Sequence, residues 1–529
     1  MIYFHKSKKA ILSFLSIVIC ISTFSFFIYS YHNQRDRIYS WDEVHYIQAT
    51  HHGIRGNALD TNSATISQFF RYSYYKAVKD SLSLKKVIHT MPNEQEDLFF
   101  LRHFHPVFPV YVWVICAYLF PTNFFVFTNY LLIFLLLIQF GIIFFSSSRK
   151  ADSFYFFIGL AILFSSPIFI ASYQSAHFHH FFFQSCVLFF MFLERFLEKH
   201  TIITFHPNKW LLGFAIALMI LCLETFPIVL LSSLFFILIM SKLSKYTNEN
   251  IGQLLTYKFI FYTLSCALIW IFLLNPSFFY TGGSLKSYSY YAYRIFFAGN
   301  EEYQSVQVFS LIKTFISQHI SLIIIMLIAI YVLIREKEKV KIVPLMMLFC
   351  GICYLIFISP FALYNTYLMP ALGLIIFSTI LIIKILENNY LVKIMLLIIV
   401  VSTSVANSQM YPLEKIKADN QNHRKEINTI LDFAKKANSP ILADGNHVFN
   451  FYGQTDIFKP LRTISETQPQ FYERIHYQNI PRRTDIALGA YAAIILLKVR
   501  NYSAKDFEFL EKSGYTQIPM DNYYFFVKR

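Results

Sequence analysis

Long uninterrupted apolar runs, rather than alternation of apolar and polar positions, organise most of this chain. They lie near residues 10–30, 107–120, 123–146, 152–171, 180–197, 210–241, 256–275, 317–334, 342–359, 363–385 and 391–406. Runs of such length with so few charges predict helices that sit in lipid. The run at 210–241 carries Glu224 and Pro227 near its middle and predicts a hairpin of two short helices. After residue 406 the pattern changes. A polar helical stretch at 414–436, strand-like PILAD (440–444) and AAIILL (492–497), helical SAKDFEFLEKS (503–513) and YYFFVK (523–528) predict a small α/β domain.

The connections between runs are charged consistently. Lys6, Lys8 and Lys9 precede the first run, which has no small-residue cleavage site and is expected to stay as an anchor. Arg149 and Lys150, Arg195 to Lys209, Lys242 to Lys258, Arg335 to Lys341, and Lys384 with Lys393 mark further short connections. Short loops rich in Lys and Arg face the cytoplasm. One arrangement satisfies all of them: 107–120 lies at or dips into the outer face, the hairpin counts as two helices, and about eleven helices cross. The expected fold class is therefore a polytopic α-helical membrane protein with a small extracytoplasmic α/β C-terminal domain. The expected division is a membrane domain at 1–406, including an outer loop at 31–106, and the α/β domain at 407–529. The N-terminus is then cytoplasmic, and any chemistry is expected on the outer face.

Composition agrees, with 56% hydrophobic and 19% aromatic residues and a mean hydropathy of +0.45. The net charge of +15 records topology rather than a nucleic-acid partner. All seven cysteines fall in apolar runs, so no disulfide framework is expected in the polar regions. That cysteine usage and a single Asn-X-Ser site, at Asn501, point to a bacterial inner membrane.

Within the outer segments, YSWDEVHYIQATHHG (39–53) places Asp42 and Glu43 at the membrane edge. A carboxylate there can serve as general base if its surroundings tune it. Ser40 with Glu43 also matches a helix capping box. LRHFHPVFPVYVW (101–113) sets Arg102 and His105 ahead of an apolar helix, suited to a lipid-linked phosphate or to an interfacial belt. SYQSAHFHH (172–180) offers His177, His179 and His180, with His177 and His180 on one face if the segment is helical, and leaves a divalent metal open. Lys286 and Arg294, in a loop with Gly282, Gly283 and several tyrosines, suit a phosphate beside a sugar or prenyl chain. Glu224, an ionisable group between two short apolar helices, marks function by default.

The order of these features resembles the GT-C superfamily of polytopic glycosyltransferases, in the branch of the protein O-mannosyltransferases and aminoarabinose transferases. WDEVHY (41–46) fits the acidic pair after the first span, and Asp42 falls on the catalytic-base position. HPVFPVY (105–111) resembles the motif closing the first outer loop, with Val107 at its second proline. IIFFSSSRK (142–150), LFSSPIFIAS (163–172) and the hairpin at 210–231 follow in the family's order, with Leu223 where a lysine is common. NTYLMPALGL (365–374) resembles a late motif but has Thr366 where an arginine is usual. EKSGYTQIPMDNYYFFVKR (511–529) resembles the closing strand pair. The family's second acidic residue after the third span has no counterpart; His179 is nearest.

The resemblance implies a GT-C-like fold and an inverting transferase of hexosyl or pentosyl groups. Its donor would be a polyprenyl-phosphate-linked sugar and its acceptor a lipid, glycan or protein. Asp42 would take the acceptor's proton, with Glu43 beside it. Arg71, Arg102, Lys286 and Arg294 would neutralise the phosphate, and His105, His179 and Glu224 would line the substrate. No cofactor is required. A transporter or flippase of lipid-linked sugars, and a polysaccharide polymerase or ligase, are the alternatives.

Overall fold

A computed structural model describes residues 2–33, 37–38, 41–50, 53–59, 107–120, 124–146, 153–198, 207–242, 254–279, 310–335, 341–359, 365–386, 389–410, 413–443, 446–455, 457–460, 491–498 and 504–528. The first helix, α1 (Ile2–Asn33), is followed by two short ones, α2 (Trp41–Ala49) and α3 (Gly53–Leu59). Then come α4 (Phe108–Leu119), α5 (Phe124–Ser146), α6 (Ser153–Phe164), α7 (Pro167–Gln174) and α8 (His179–Glu198). The hairpin is α9 (Pro207–Cys222) and α10 (Phe226–Lys242), turning at Leu223–Thr225 as its sequence predicts. α11 (Tyr257–Leu274), α12 (Ser310–Gln318), α13 (Ile320–Arg335), α14 (Ile342–Ile358), α15 (Met369–Ile383) and α16 (Tyr390–Met410) complete the membrane part.

Every residue of α15 is buried, as an apolar surface on all sides requires of a helix that other helices surround. α6, α8, α13 and α14 pack around it. The outermost helices instead expose large apolar side chains, among them Phe14, Ile21, Phe134, Phe235, Phe261, Leu268 and Ile398, a surface that only lipid satisfies. Among the described residues six helical stretches are apolar and long enough to cross a bilayer, or seven if the bent pair α6/α7 is one span. Shorter apolar helices, α9, α10, α13 and α14, stand beside them. α4, at 12 residues, is about 18 Å long and too short to cross. The protein is an integral membrane protein.

Two runs that read as continuous are broken. The stretch 152–171 bends by 65° between α6 and α7. Pro167 has no N–H to continue α6, and Ser166, extended at φ −76° and ψ 126°, caps α7 by accepting from the Phe169 amide at 3.5 Å. The groups freed at the break find side-chain partners: Asn407 donates to the Ser165 carbonyl at 3.1 Å, and the Ser166 hydroxyl lies 2.9 Å from His319 Nε2. His319 itself interrupts the run at 317–334, standing between α12 and α13.

The basic connections gather at one end of the bundle. Lys384 donates to the Phe144 carbonyl at 3.0 Å, Lys393 sits 5.7 Å over the Phe154 ring, and Lys341 pairs with Glu194 at 3.1 Å. α8 and α15 end there and begin at the other end, where the acidic and histidine motifs lie.

The tail holds α17 (Leu413–Ala434), β1 (Ile441–Ala443), α18 (Asn446–Gly453), β2 (Phe458–Pro460), β3 (Ala493–Leu497), α19 (Ala504–Lys512), β4 (Tyr515–Pro519) and β5 (Tyr523–Lys528). The strands form one sheet in the order β2-β1-β3-β5-β4, parallel among β1, β2 and β3 and antiparallel elsewhere. Side chains alternate between its faces. Ile441, Ala443, Ala493, Ile495 and Phe525 meet α17 and α18, whereas Leu442, Ile494, Leu496 and Phe526 meet Leu510 of α19. Gly514, at φ 88°, turns the chain from α19 into β4. β4 and β5 form the strand pair that 511–529 resembles, whereas α18 and β2 were not expected.

Two tests follow from this packing. A Cβ at Gly213 would lie 2.6 Å from Cys266 Cβ and 2.9 Å from the Ala267 amide nitrogen on α11, so Gly213→Ala forces α9 and α11 apart. The expected cost is about 1–3 kcal/mol in unfolding measurements, while Gly141→Ala, which meets nothing within 4 Å, is tolerated. In the tail, burial beside the Tyr523 hydroxyl pushes the His423 imidazole below its ordinary pKa, with Glu426 opposing. The unfolded chain therefore binds the proton more readily, and tail stability should fall as pH drops through the ordinary histidine range. His423→Gln should flatten that dependence in pH-dependent melting.

Candidate functional site

The site forms where α1, α7, α8 and the 365–368 turn reach the end of the bundle opposite the basic connections. Arg37, in the short link after α1, makes two bonds to the Glu43 carboxylate, one of them from Nη1 to Oε2 at 2.9 Å and the other from Nη2 to Oε1. The same guanidinium donates to the Gln174 carbonyl at 2.7 Å, and the Ala176 amide donates to Glu43 at 2.7 Å. Gln174 in turn donates to the Ser30 carbonyl at 3.0 Å. Glu43 is 1% exposed. A carboxylate so buried is tolerable only with such partners, and these three fix α2 against the α7–α8 connection.

Asp42 is the neighbouring residue on α2. One turn further along the helix, the Tyr46 ring lies 4.4 Å from Phe178 and 6.1 Å from His177, with Trp113 of α4 at 6.4 Å. His177 and His179 are 6.0 Å apart, and His179 lies 4.2 Å from Tyr367 in the turn Asn365–Leu368. The Tyr354 hydroxyl of α14, a helix that packs on the same turn, is 2.8 Å from that of Thr225, the residue after Glu224. WDEVHY, SAHFHH and NTYLMP, scattered over more than three hundred positions of the sequence, thus meet through a chain of ring contacts, and LETFP reaches them through α14.

Of the residues singled out from the sequence, Asp42 and Glu43 lie on α2, His179 opens α8, and Glu224 is buried in the α9–α10 turn. Arg71, Arg102, His105, Lys286 and Arg294 lie outside the described residues. The three histidines do not share a face. α8 starts at His179, leaving His177 in the preceding coil, and the rings turn to Tyr46, Tyr367 and Tyr173 respectively. Among the described residues no group of three His, Cys, Asp or Glu is placed to hold a metal ion. His180 is fully buried, 5.0 Å from Tyr173, and neither ring nitrogen has a hydrogen-bond partner among the described residues. Arg37, Tyr46 and Tyr354 escaped the sequence reading. A basic residue six positions before a buried acid was the available signal for Arg37; Tyr354 lies in an apolar run with nothing to mark it.

No protein-family model matches the sequence, and no curated protein does. The architecture is a polytopic bundle with a short acidic helix at its polar end and a small C-terminal sheet, a fold shared with ArnT. Among solved structures it is similar to ArnT from Cupriavidus metallidurans bound to undecaprenyl phosphate, with a TM-score of 0.56 and 12% identity over 96% of this chain and 97% of that one. The same protein in its apo state gives a TM-score of 0.54 and 10% identity over the same shares, 96% and 97%.

The Arg37–Glu43 pair carries a prediction. Arg37→Ala leaves a buried carboxylate with one partner fewer and should cost about 3–5 kcal/mol of stability. Lys435→Ala, which breaks the exposed pair with Asp432, should leave the melting temperature unchanged.

Proposed function

We propose that this protein is a membrane glycosyltransferase that moves a sugar from a polyprenyl-phosphate donor to an acceptor on the non-cytoplasmic face of a bacterial inner membrane, with the N-terminus in the cytoplasm and the tail domain outside. The observation that carries the reading is the placement of the acidic helix α2 at the bundle end opposite the basic connections, in a fold shared over nearly its whole length with a protein that binds undecaprenyl phosphate.

Asp42 takes the proton from an acceptor hydroxyl or amine. The freed lone pair attacks the anomeric carbon, the bond from that carbon to the phosphate oxygen breaks, and polyprenyl phosphate leaves with inversion of the sugar. The phosphate is already a fair leaving group, so the protein's work is orientation and charge neutralisation. Arg71, Arg102, Lys286 and Arg294 supply the positive charge. His105, His179 and Glu224 bind sugar or acceptor. Glu43, occupied by Arg37 and Ala176, holds α2 in place and leaves the base role to Asp42.

Asp42→Asn in the purified full-length protein should lower release of sugar from polyprenyl-phosphate donors by about 10²–10⁴-fold, the usual worth of a general base, with donor binding retained. Unchanged turnover would remove Asp42 from this role. Donor movement across vesicles without bond cleavage would replace the transferase reading with transport.

A further inference from the structure

Adjacent side chains of α2 belong to different bodies. Glu43 is tied to Arg37 and Ala176 of the membrane domain, and Tyr46 and Ile47 enter that domain's apolar core. Val44, between them, does not. Together with Ile38 it is part of the apolar core of the tail, among Ile427 and Ile430 of α17, Val448 and Phe449 of α18, and the sheet. Val44 is 0% exposed and Phe449 1%.

A helix of 9 residues has little stability of its own, so what packs on it decides its orientation. The carboxylate clamp holds one side of α2 but leaves it free to rock about that contact. Val44 follows Glu43 by one position, roughly 100° round the helix, and a wedge of apolar side chains there removes the remaining freedom. The wedge is itself tethered, because α17 follows the membrane helix α16.

We propose that the tail domain braces the Asp42 helix from outside, with Val44, Val448 and Phe449 as positioning residues, so that bond formation depends on tail docking as well as on the membrane domain. The catalytic consequence rests on the function proposed above; the bracing does not. Displacing a base by about 1 Å can cost 10²-fold in rate while binding of the lipid donor elsewhere persists.

The test uses the full-length protein with Phe449→Ala, the milder Val44→Ala, the conservative Phe449→Leu, and Leu510→Ala on the far face of the sheet. Amide hydrogen exchange over residues 41–49 and transfer from polyprenyl-phosphate sugars are measured on each. Phe449→Ala and Val44→Ala should speed exchange in α2 but not in α15, and lower kcat by about 10–100-fold with KM for the donor within about twofold. Phe449→Leu should restore both, and Leu510→Ala, which loosens the tail without touching α2, should change neither. Unaltered α2 exchange in both truncations, or faster exchange with full kcat, overturns the proposal, as does an equal effect from Leu510→Ala. If the unaltered protein transfers no sugar from any polyprenyl-phosphate donor, the function fails while the exchange comparison still decides the brace.

Discussion

A carboxylate buried to 1% exposure at the edge of a bilayer is the constraint on which the polar end of this molecule turns. Left unpaired there, Glu43 would take up a proton or draw in water. With the Arg37 guanidinium and the Ala176 amide as partners it becomes a fastener. It ties together the link after α1, the first turn of α2 and the connection from α7 to α8. The same guanidinium reaches the Gln174 carbonyl, so a chain terminus of α7 that would otherwise show an orphaned acceptor is satisfied as well. The pairing thereby anchors one side of α2.

The rest of the membrane domain sorts its polar groups to two ends and one break. α15 is apolar on all sides and sits at the centre, which leaves the ends of the surrounding helices to carry lysines at one face and tyrosines, histidines and acids at the other. The break between α6 and α7 lets α7 veer away by 65° and deliver Gln174 and the histidine stretch to the polar end. The backbone and hydroxyl groups freed at this buried break are met by Asn407 and His319 from distant helices, as lipid could not meet them.

Much of this was legible in the sequence, because burial in lipid leaves a one-dimensional trace. Run lengths marked the helices, the lysines marked one end, and LETFP marked the hairpin turn. The tail's β1, β3 and β5 were legible for the same reason, being continuous apolar runs between polar ones. What was not legible depends on contacts far apart in the chain. The break at Ser165 and Ser166 reads as a mild proline signal until Asn407 and His319 are seen to cover it. Ser40 with Glu43 reads as a capping box, yet the Glu43 carboxylate is engaged by Arg37 and by Ala176, 133 positions away. The histidines read as a possible ligand set, but the start of α8 at His179 turns their rings to three different tyrosines. β2 is three residues long and exists only because β1 offers it an edge.

On the function proposed above, a prenyl-phosphate group meets this protein at the end of the bundle where α2, the 174–180 stretch and the 365–368 turn converge. A photoreactive polyprenyl phosphate, cross-linked in native membranes and mapped by peptide mass spectrometry, addresses it directly. Labels on peptides spanning 37–50, 174–180 or 365–369 are the predicted result. Labels confined to peptides around Lys341, Lys384 and Lys393, at the opposite end, would contradict the account.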